Sequence, residues 1–121
     1  MKTIHDLIEE VRSNPRIDRA GMILCHNGIV RGFSRGGKEV SKLKVKADRK
    51  ALEKLIDETK KKPGIVDLKV HINEGVLGVG DDVMLVVVAG DIRENTFPVL
   101  IEVVDTIKRS ILEKEDIDAI A

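Results

Sequence analysis

The most hydrophobic segment of the sequence is an uninterrupted apolar run at residues 83–89. A run of this length, rich in valine, is typical of a strand that is covered on both faces. Gly90 and Asp91 end the run, and a helical spacing of apolar residues begins shortly afterwards. The pattern therefore predicts a central strand that a short polar turn joins to a helix.

This helix is predicted to begin near residue 96. Asn95 or Thr96 can cap its first turn, and Pro98 falls at an early position, where a missing N–H is tolerated. The apolar stripe predicted to face the core consists of Phe97, Leu100, Ile101, Val104, Ile107 and Ile111. Arg93 lies in the preceding turn and Lys108 lies beside the stripe, so two cations stand where a site could form.

The rest of the pattern predicts two further helices and three further strands. Thr3 can cap a first helix over residues 4–11, and Asp48 can begin a second helix. The predicted strands cover residues 20–30, 43–47 and 66–72. This order indicates a compact α+β fold, with residues 1–121 as a single domain. We expect one mixed or antiparallel sheet, covered by the two long helices.

Composition restricts the classes of function. The chain has 21 basic and 21 acidic residues among 121, so its net charge gives no case for binding nucleic acid or an anionic membrane. Phe33 and Phe97 are its only aromatic residues, which excludes a platform for stacking bases. Its single cysteine, Cys25, excludes an intramolecular disulfide. No apolar run approaches the roughly 20 residues that span a bilayer, and no secretory signal is recognisable, so we predict a cytoplasmic protein.

A glycine-rich basic segment at residues 31–38 is a candidate anion site. It contains Arg31, Arg35 and Lys38, and its glycines allow the backbone to approach a ligand closely. The alternative is a solvated hairpin connection, and the residues alone leave both interpretations open. We predict that these three cations and Arg93 form a local positive pocket, in which the arginine forks would hold phosphate.

The histidines do not form a recognisable metal site. His26 interrupts the first predicted strand, and neither a second histidine nor a carboxylate accompanies it at ligand spacing. We therefore interpret His26 as an edge or core histidine. His71 falls on the polar side of its predicted strand and should lie at the surface. We predict neither a bound metal nor a cofactor.

Several segments taken together resemble the large subunit of molybdopterin synthase. They are residues 28–34 (Gly-Ile-Val-Arg-Gly-Phe-Ser), residues 75–81 (Gly-Val-Leu-Gly-Val-Gly-Asp), the turn containing Arg93, and Lys108 within Asp-Thr-Ile-Lys. They occur in the family's order across residues 20–115. The resemblance implies an α/β hammerhead fold and a homodimer of large subunits within a heterotetramer.

The same resemblance implies a reaction and its partners. A small ubiquitin-like sulfur carrier ending in Gly-Gly would insert its C-terminal thiocarboxylate into a pocket of the large subunit. Sulfur would pass from there to cyclic pyranopterin monophosphate, forming a dithiolene. A phosphate and a carboxylate-like tail both require cations, and a carrier that supplies the sulfur removes the need for a catalytic cysteine.

The resemblance also assigns roles to individual residues. Arg31 and Arg93 match arginines of the family's anion pocket, Lys108 matches the first catalytic lysine, and Lys114 matches the second after a one-residue deletion. We expect Lys108 to carry a partly buried ammonium with a lowered pKa, which orients the thiocarboxylate and stabilises negative charge. Lys114 would assist proton transfer.

The sequence departs from the family pattern near this predicted site. Ile92 stands where the family has a histidine, and residues 72–75 (Ile-Asn-Glu-Gly) replace a His-Arg-x-Gly strand end. Residues 110–115 lack the family's Pro-x-Trp-Lys pattern. Two alternatives therefore remain: a diverged noncatalytic scaffold or interaction protein of the same fold, and an unrelated phosphate-binding function.

Overall fold

The computed structural model describes residues 2–118. Its helices are α1 (Ile4–Arg12), α2 (Arg49–Lys60) and α3 (Arg93–Thr106). Its strands are β1 (Met22–Ile29), β2 (Val40–Ala47), β3 (Ile65–Ile72), β4 (Gly75–Gly78), β5 (Asp82–Gly90) and β6 (Leu112–Asp118). A 3₁₀ turn (Ile17–Arg19) precedes β1, and a π-helical turn (Ile107–Ile111) joins α3 to β6.

The strands form two antiparallel sheets. One sheet has the order β1-β5-β3 and the other has the order β4-β2-β6. The predicted α+β class with antiparallel pairing is confirmed, but the prediction of one sheet is wrong. An alternating pattern tells which face of β2 is buried and does not tell which strand pairs with it, since the period of two is the same for every partner.

β5 is the central strand of the first sheet, as the apolar run predicted. Its side chains alternate between two hydrophobic clusters. Leu85, Val87 and Ala89 pack with α1, while Met84, Val86 and Val88 face the cluster to which α2 and α3 contribute; each is at most 1% exposed. Both long helices therefore cover the same sheet, with α1 on its other face.

The first two helices begin where their caps were predicted. The hydroxyl of Thr3 accepts a hydrogen bond from the N–H of Asp6 (3.2 Å), and the Asp6 carboxylate accepts one from the N–H of Thr3 (2.9 Å). The Asp48 carboxylate accepts one from the N–H of Ala51 (3.1 Å). These contacts are local in sequence, and each satisfies N–H groups that the helix itself leaves unpaired.

α3 differs from its prediction in both start and orientation. It begins at Arg93, without a side-chain cap, and Thr96 is buried in its first turn, where its hydroxyl donates to the carbonyl of Ile92 (2.7 Å). Gly90 permits this arrangement, since a Cβ there would overlap the Thr96 side chain. Val99 and Val103 are buried in consequence, whereas Phe97 and Ile101, predicted to face the core, are 47% and 61% exposed.

The segment after α3 also departs from prediction. The helical pattern extended to residue 111, but the α-helix ends at Thr106 and the π-helical turn follows. Ile107 and Ile111 remain buried, at 0% and 3% exposure. The chain then enters β6, a strand that the sequence analysis missed. Within residues 2–118, no helix is both long and apolar enough to cross a membrane.

Candidate functional site

A cavity of about 770 Å³ is lined by residues from both sheets. The end of β1 and the start of β5 form one part of its wall, and the inner faces of β2 and β6 form another. The loop after β1 and the π-helical turn complete the lining. A volume of this size suits a small-molecule ligand, since such sites commonly enclose roughly 300–1,000 Å³.

Four of the predicted site residues line this cavity: Arg31, Arg35, Lys108 and Lys114. Arg31 and Arg35 come from the basic loop. Lys108 lies in the π-helical turn, a feature that frequently occurs at functional sites. Together with Asp116, these cations make the wall strongly charged in a chain whose net charge is zero.

Strand register brings Lys114 into the cavity. Lys114 pairs with Val45 and Asp116 pairs with Leu43 across the β2–β6 ladder. Directly paired residues point to the same side of a sheet, and both partners on β2 are buried. Lys114 and Asp116 therefore lie on the inner face of this sheet.

The amine of Lys114 is electrostatically perturbed. Partial burial lowers its pKa, the positive charge of Lys108 lowers it further, and Arg35 and Arg31 add smaller effects in the same direction. Asp116 opposes them. Lys108, Arg35 and Arg31 are therefore each near enough to Lys114 to affect its charge. The predicted partly buried ammonium at Lys108 is wrong, because Lys108 is exposed at the cavity wall.

Arg93 and Lys38 do not belong to the cavity wall of the described chain. Arg93 follows the far end of β5, whereas Met84 near the start of that strand lines the cavity. Six residues of extended chain separate Met84 from Gly90, a distance of roughly 20 Å. The Arg93 side chain is 79% exposed and lies 3.9 Å from the Glu94 carboxylate.

The position of Lys38 follows from a tight turn in the basic loop. The N–H of Ser34 donates to the carbonyl of Lys38 (2.8 Å), and the N–H of Lys38 donates to the hydroxyl of Ser34 (3.2 Å). Gly37 has a φ of 83° in this turn, a conformation that favours glycine. The loop thus reverses, so that Arg35 and Gly36 line the cavity and Lys38 begins the return towards β2.

Phe33 and Asp116 are among the cavity-lining residues that the sequence did not predict. Phe33 was noted as a scarce aromatic and within the segment 28–34 that resembles the family, but it was not predicted as a site residue. Its place in the basic loop could have marked it as a ligand contact. The sequence did not indicate that Asp116 faces a cavity. Glu113 and Glu115 make β6 polar on both faces, so no alternation of apolar and polar residues marks one face as buried.

His26 lies next to this cavity, on β1. Its Nε2 atom is buried and, within the described part of the chain, has no hydrogen-bond partner. Burial lowers the pKa of His26, and the charge of Lys108 lowers it further. Among the described residues, no group of three or more His, Cys, Asp or Glu side chains could hold a metal ion.

Comparison with known proteins identifies the family. A model of the MoaE protein family matches residues 2–110. The chain belongs to the MoaE family. The molybdopterin synthase catalytic subunit of Thermoplasma volcanium is 36% identical over 117 residues, covering 93% of this chain and 82% of that protein. The sequence resemblance to the large subunit of molybdopterin synthase is thereby confirmed.

Solved structures of related proteins share the fold. Molybdopterin cofactor biosynthesis protein E of Burkholderia multivorans has a TM-score of 0.76 and 25% identity, covering 99% of this chain and 86% of that chain. Subunits 1 and 2 of molybdopterin-converting factor from Helicobacter pylori were solved as a complex. The match to that structure has a TM-score of 0.75 and 20% identity, and it covers 98% of this chain and 80% of the matched chain. The hammerhead-like MoaE fold is therefore present here.

Proposed function

We propose that this chain acts as the catalytic subunit of a molybdopterin synthase in the cytoplasm. It would transfer sulfur from the C-terminal thiocarboxylate of a small ubiquitin-like carrier to cyclic pyranopterin monophosphate. The observation that supports this most is the convergence of Arg31, Arg35, Lys108 and Lys114 on one cavity in a chain of the MoaE family.

The chemistry of the two reactants fits this wall. The precursor carries a phosphate, and the carrier tail ends in an anionic thiocarboxylate. Arg31 and Arg35 offer planar forks that suit the phosphate oxygens. Lys108, exposed at the wall, would orient the thiocarboxylate and stabilise the negative charge that develops as sulfur attacks the pterin.

Lys114 is suited to proton transfer. A lysine with a lowered pKa gives up and regains its proton more readily near neutral pH. Partial burial and the neighbouring charge of Lys108 both act on Lys114 in this direction. Because the carrier supplies the sulfur, the site needs no protein thiol, and Cys25 has no assigned role.

We further propose a heterotetramer, with two copies of this chain at its centre and one carrier bound to each. The Helicobacter pylori relative, solved as a complex of subunits 1 and 2, supports a two-subunit assembly. Arg93 would reach a cavity only if a second copy of the chain supplied it. Light scattering of the purified chain should give the dimer mass, and addition of the Gly-Gly carrier should give the heterotetramer mass. A monomer mass at micromolar concentration would contradict the dimer.

The activity test is single-turnover sulfur transfer with saturating thiocarboxylated carrier and cyclic pyranopterin monophosphate. Lys108→Ala and Lys114→Ala should each retain the fold and lose at least about tenfold in rate, equivalent to roughly 1.4 kcal/mol of transition-state stabilisation. Lys54→Ala is the matched control, because Lys54 lies on α2 with a side chain that is 77% exposed. Wild-type turnover by Lys108→Ala would reject its catalytic role. No turnover by the unmodified protein with its carrier would instead favour the noncatalytic scaffold.

A further inference from the structure

His26 lies on the face of β1 that leads into the cavity. Successive side chains of a strand alternate between its faces, so Leu24, His26 and Gly28 share one face. Leu24 packs against the cluster to which α3 contributes, and Gly28 lines the cavity. His26 pairs with Val86 of that same cluster. The ring therefore lies between the core and the cavity wall.

The tip of the ring lies directly behind that wall. A Cβ placed on Gly28 would be 3.3 Å from Nε2 of His26 and 3.0 Å from Cγ of Met84. Gly28 and Met84 both line the cavity, so the absence of a side chain at Gly28 leaves Nε2 close to the cavity surface. Buried polar atoms are nearly always hydrogen-bonded in folded proteins. An unpartnered Nε2 in this position points to a partner that arrives with a ligand.

The electrostatic surroundings of the ring are simple. Burial has the larger effect in lowering the pKa of His26, and the positive charge of Lys108 lowers it further. The acidic groups of α3 and β5 have other partners: Asp105 lies 3.7 Å from Arg109, Glu102 accepts from Lys62 (2.8 Å), Glu94 lies 3.9 Å from Arg93, and Asp82 accepts from Asn27 (2.9 Å). The carboxylate of the cavity wall itself is Asp116, which acts on Lys114. α1 covers the opposite face of the sheet. Burial and the charge of Lys108 therefore both favour the neutral ring while the cavity holds no anion.

We propose that His26 is a proton-exchanging residue of this site, which takes up one proton from solvent when an anion binds beside Lys108. The bound anion offsets the repulsion from Lys108, and the protonated ring can donate a hydrogen bond from Nε2 towards the cavity. The inference rests on the proposed function only in requiring that the cavity bind an anionic group, a phosphate or a carboxylate-like tail. It gives the chain a proton carrier at a place different from Ile92, where the family has a histidine.

The decisive measurement is an NMR titration of the His26 ring in the full-length protein. Sulfate is the probe, because it stays doubly charged across the titration, and chloride at equal ionic strength is the reference. In chloride, the His26 midpoint should lie below 6.5, the ordinary value for histidine. In saturating sulfate it should rise by at least about half a pH unit. His26→Phe identifies the resonance by its loss, and the rings of His5 and His71 report any general effect of the salt.

Linkage supplies an independent readout. A midpoint raised by about half a pH unit requires sulfate to bind roughly threefold more tightly to the protonated protein. Sulfate affinity should therefore fall between pH 5 and pH 8 in the wild type, and this fall should shrink in His26→Phe. An identical His26 midpoint in sulfate and chloride, or an unchanged pH dependence of sulfate binding in His26→Phe, would overturn the proposal.

The outcomes separate this inference from the proposed function. Sulfur transfer by the wild type combined with an unmoved His26 midpoint would reject only the role of His26. A raised midpoint without any turnover would support anion-coupled protonation and reject the synthase activity. The midpoint is measured on the wild-type protein, so a variant that fails to fold does not affect it.

Discussion

The orientation of α3 can be tested by comparing Val103→Ala with Ile101→Ala. Val103 is 1% exposed and packs in the main core, whereas Ile101 is 61% exposed. Truncating Val103 removes two buried carbon groups, worth about 0.8 kcal/mol each. The cavity that is left adds to this, so the total loss should be roughly 2–3 kcal/mol. Ile101→Ala should change the free energy of unfolding by less than about 0.5 kcal/mol.

These values translate into different melting temperatures. Unfolding entropy of about 2.1 cal/mol/K per residue gives roughly 250 cal/mol/K for a chain of 121 residues. Val103→Ala should therefore lower Tm by about 8–12 °C, and Ile101→Ala by about 2 °C or less. Both substitutions replace a β-branched residue by alanine, so the gain in helix propensity is similar in the two variants and cancels in the comparison.

The assay is thermal and urea unfolding of both variants at several protein concentrations. A loss in Ile101→Ala equal to that in Val103→Ala at every concentration would refute the observed rotation of α3, and would restore the stripe predicted from the sequence. A loss in Ile101→Ala that appears only at high concentration would instead place Ile101 at a contact between subunits, because association stabilises by mass action.

Three further predictions concern a close backbone approach and two titrating groups. Gly90→Ala should destabilise the fold by about 1–3 kcal/mol, because a Cβ there would overlap buried Thr96, and an unchanged Tm would contradict this. Partial burial lowers the pKa of Lys114 in the folded protein below its ordinary 10.5. Between the folded and unfolded pKa values the unfolded chain therefore binds more protons than the folded protein. The free energy of unfolding should rise with pH in that window. Lys114→Met should remove this rise, and equal slopes in urea titrations of both proteins would refute the assignment. A hydrogen bond from the N–H of Ala47 lowers the pKa of Glu74 below 4.5, so its contribution is present above pH 4.5 and lost as pH falls through the folded pKa. Glu74→Gln should reduce the loss of folding free energy on acidification below pH 4.5. The same loss in the variant and the wild type would contradict this role of Glu74.

The predictions that held depend on information that is local in sequence. The apolar run of β5 identified a strand with two covered faces, because alternate residues of a strand point in opposite directions. Thr3 and Asp48 identified helix starts, because a cap and the N–H groups it satisfies lie within three residues. Neither inference needed knowledge of a distant contact.

The predictions that failed depend on contacts between distant segments. Residues 97–104 are apolar on more than one face, so their spacing does not determine the rotation of α3 about its axis. The close packing of Thr96 against Gly90 determines it. Arg93 is adjacent to β5 in sequence, yet the length of that strand carries it away from the cavity. Sequence proximity sets the order of the elements along the chain and does not set which ends of them meet.

The sequence by itself determined the α+β class, the central strand, the caps of α1 and α2, the family resemblance and the basic loop that supplies Arg31 and Arg35. Only the tertiary structure decided that β2, β4 and β6 form a second sheet, and that the register of β6 turns Lys114 inward beside Lys108. It also decided that His26 lies behind Gly28 with an unpartnered nitrogen. Burial, pKa and cavity shape arise from side chains that are far apart in the chain, and packing alone brings those side chains together.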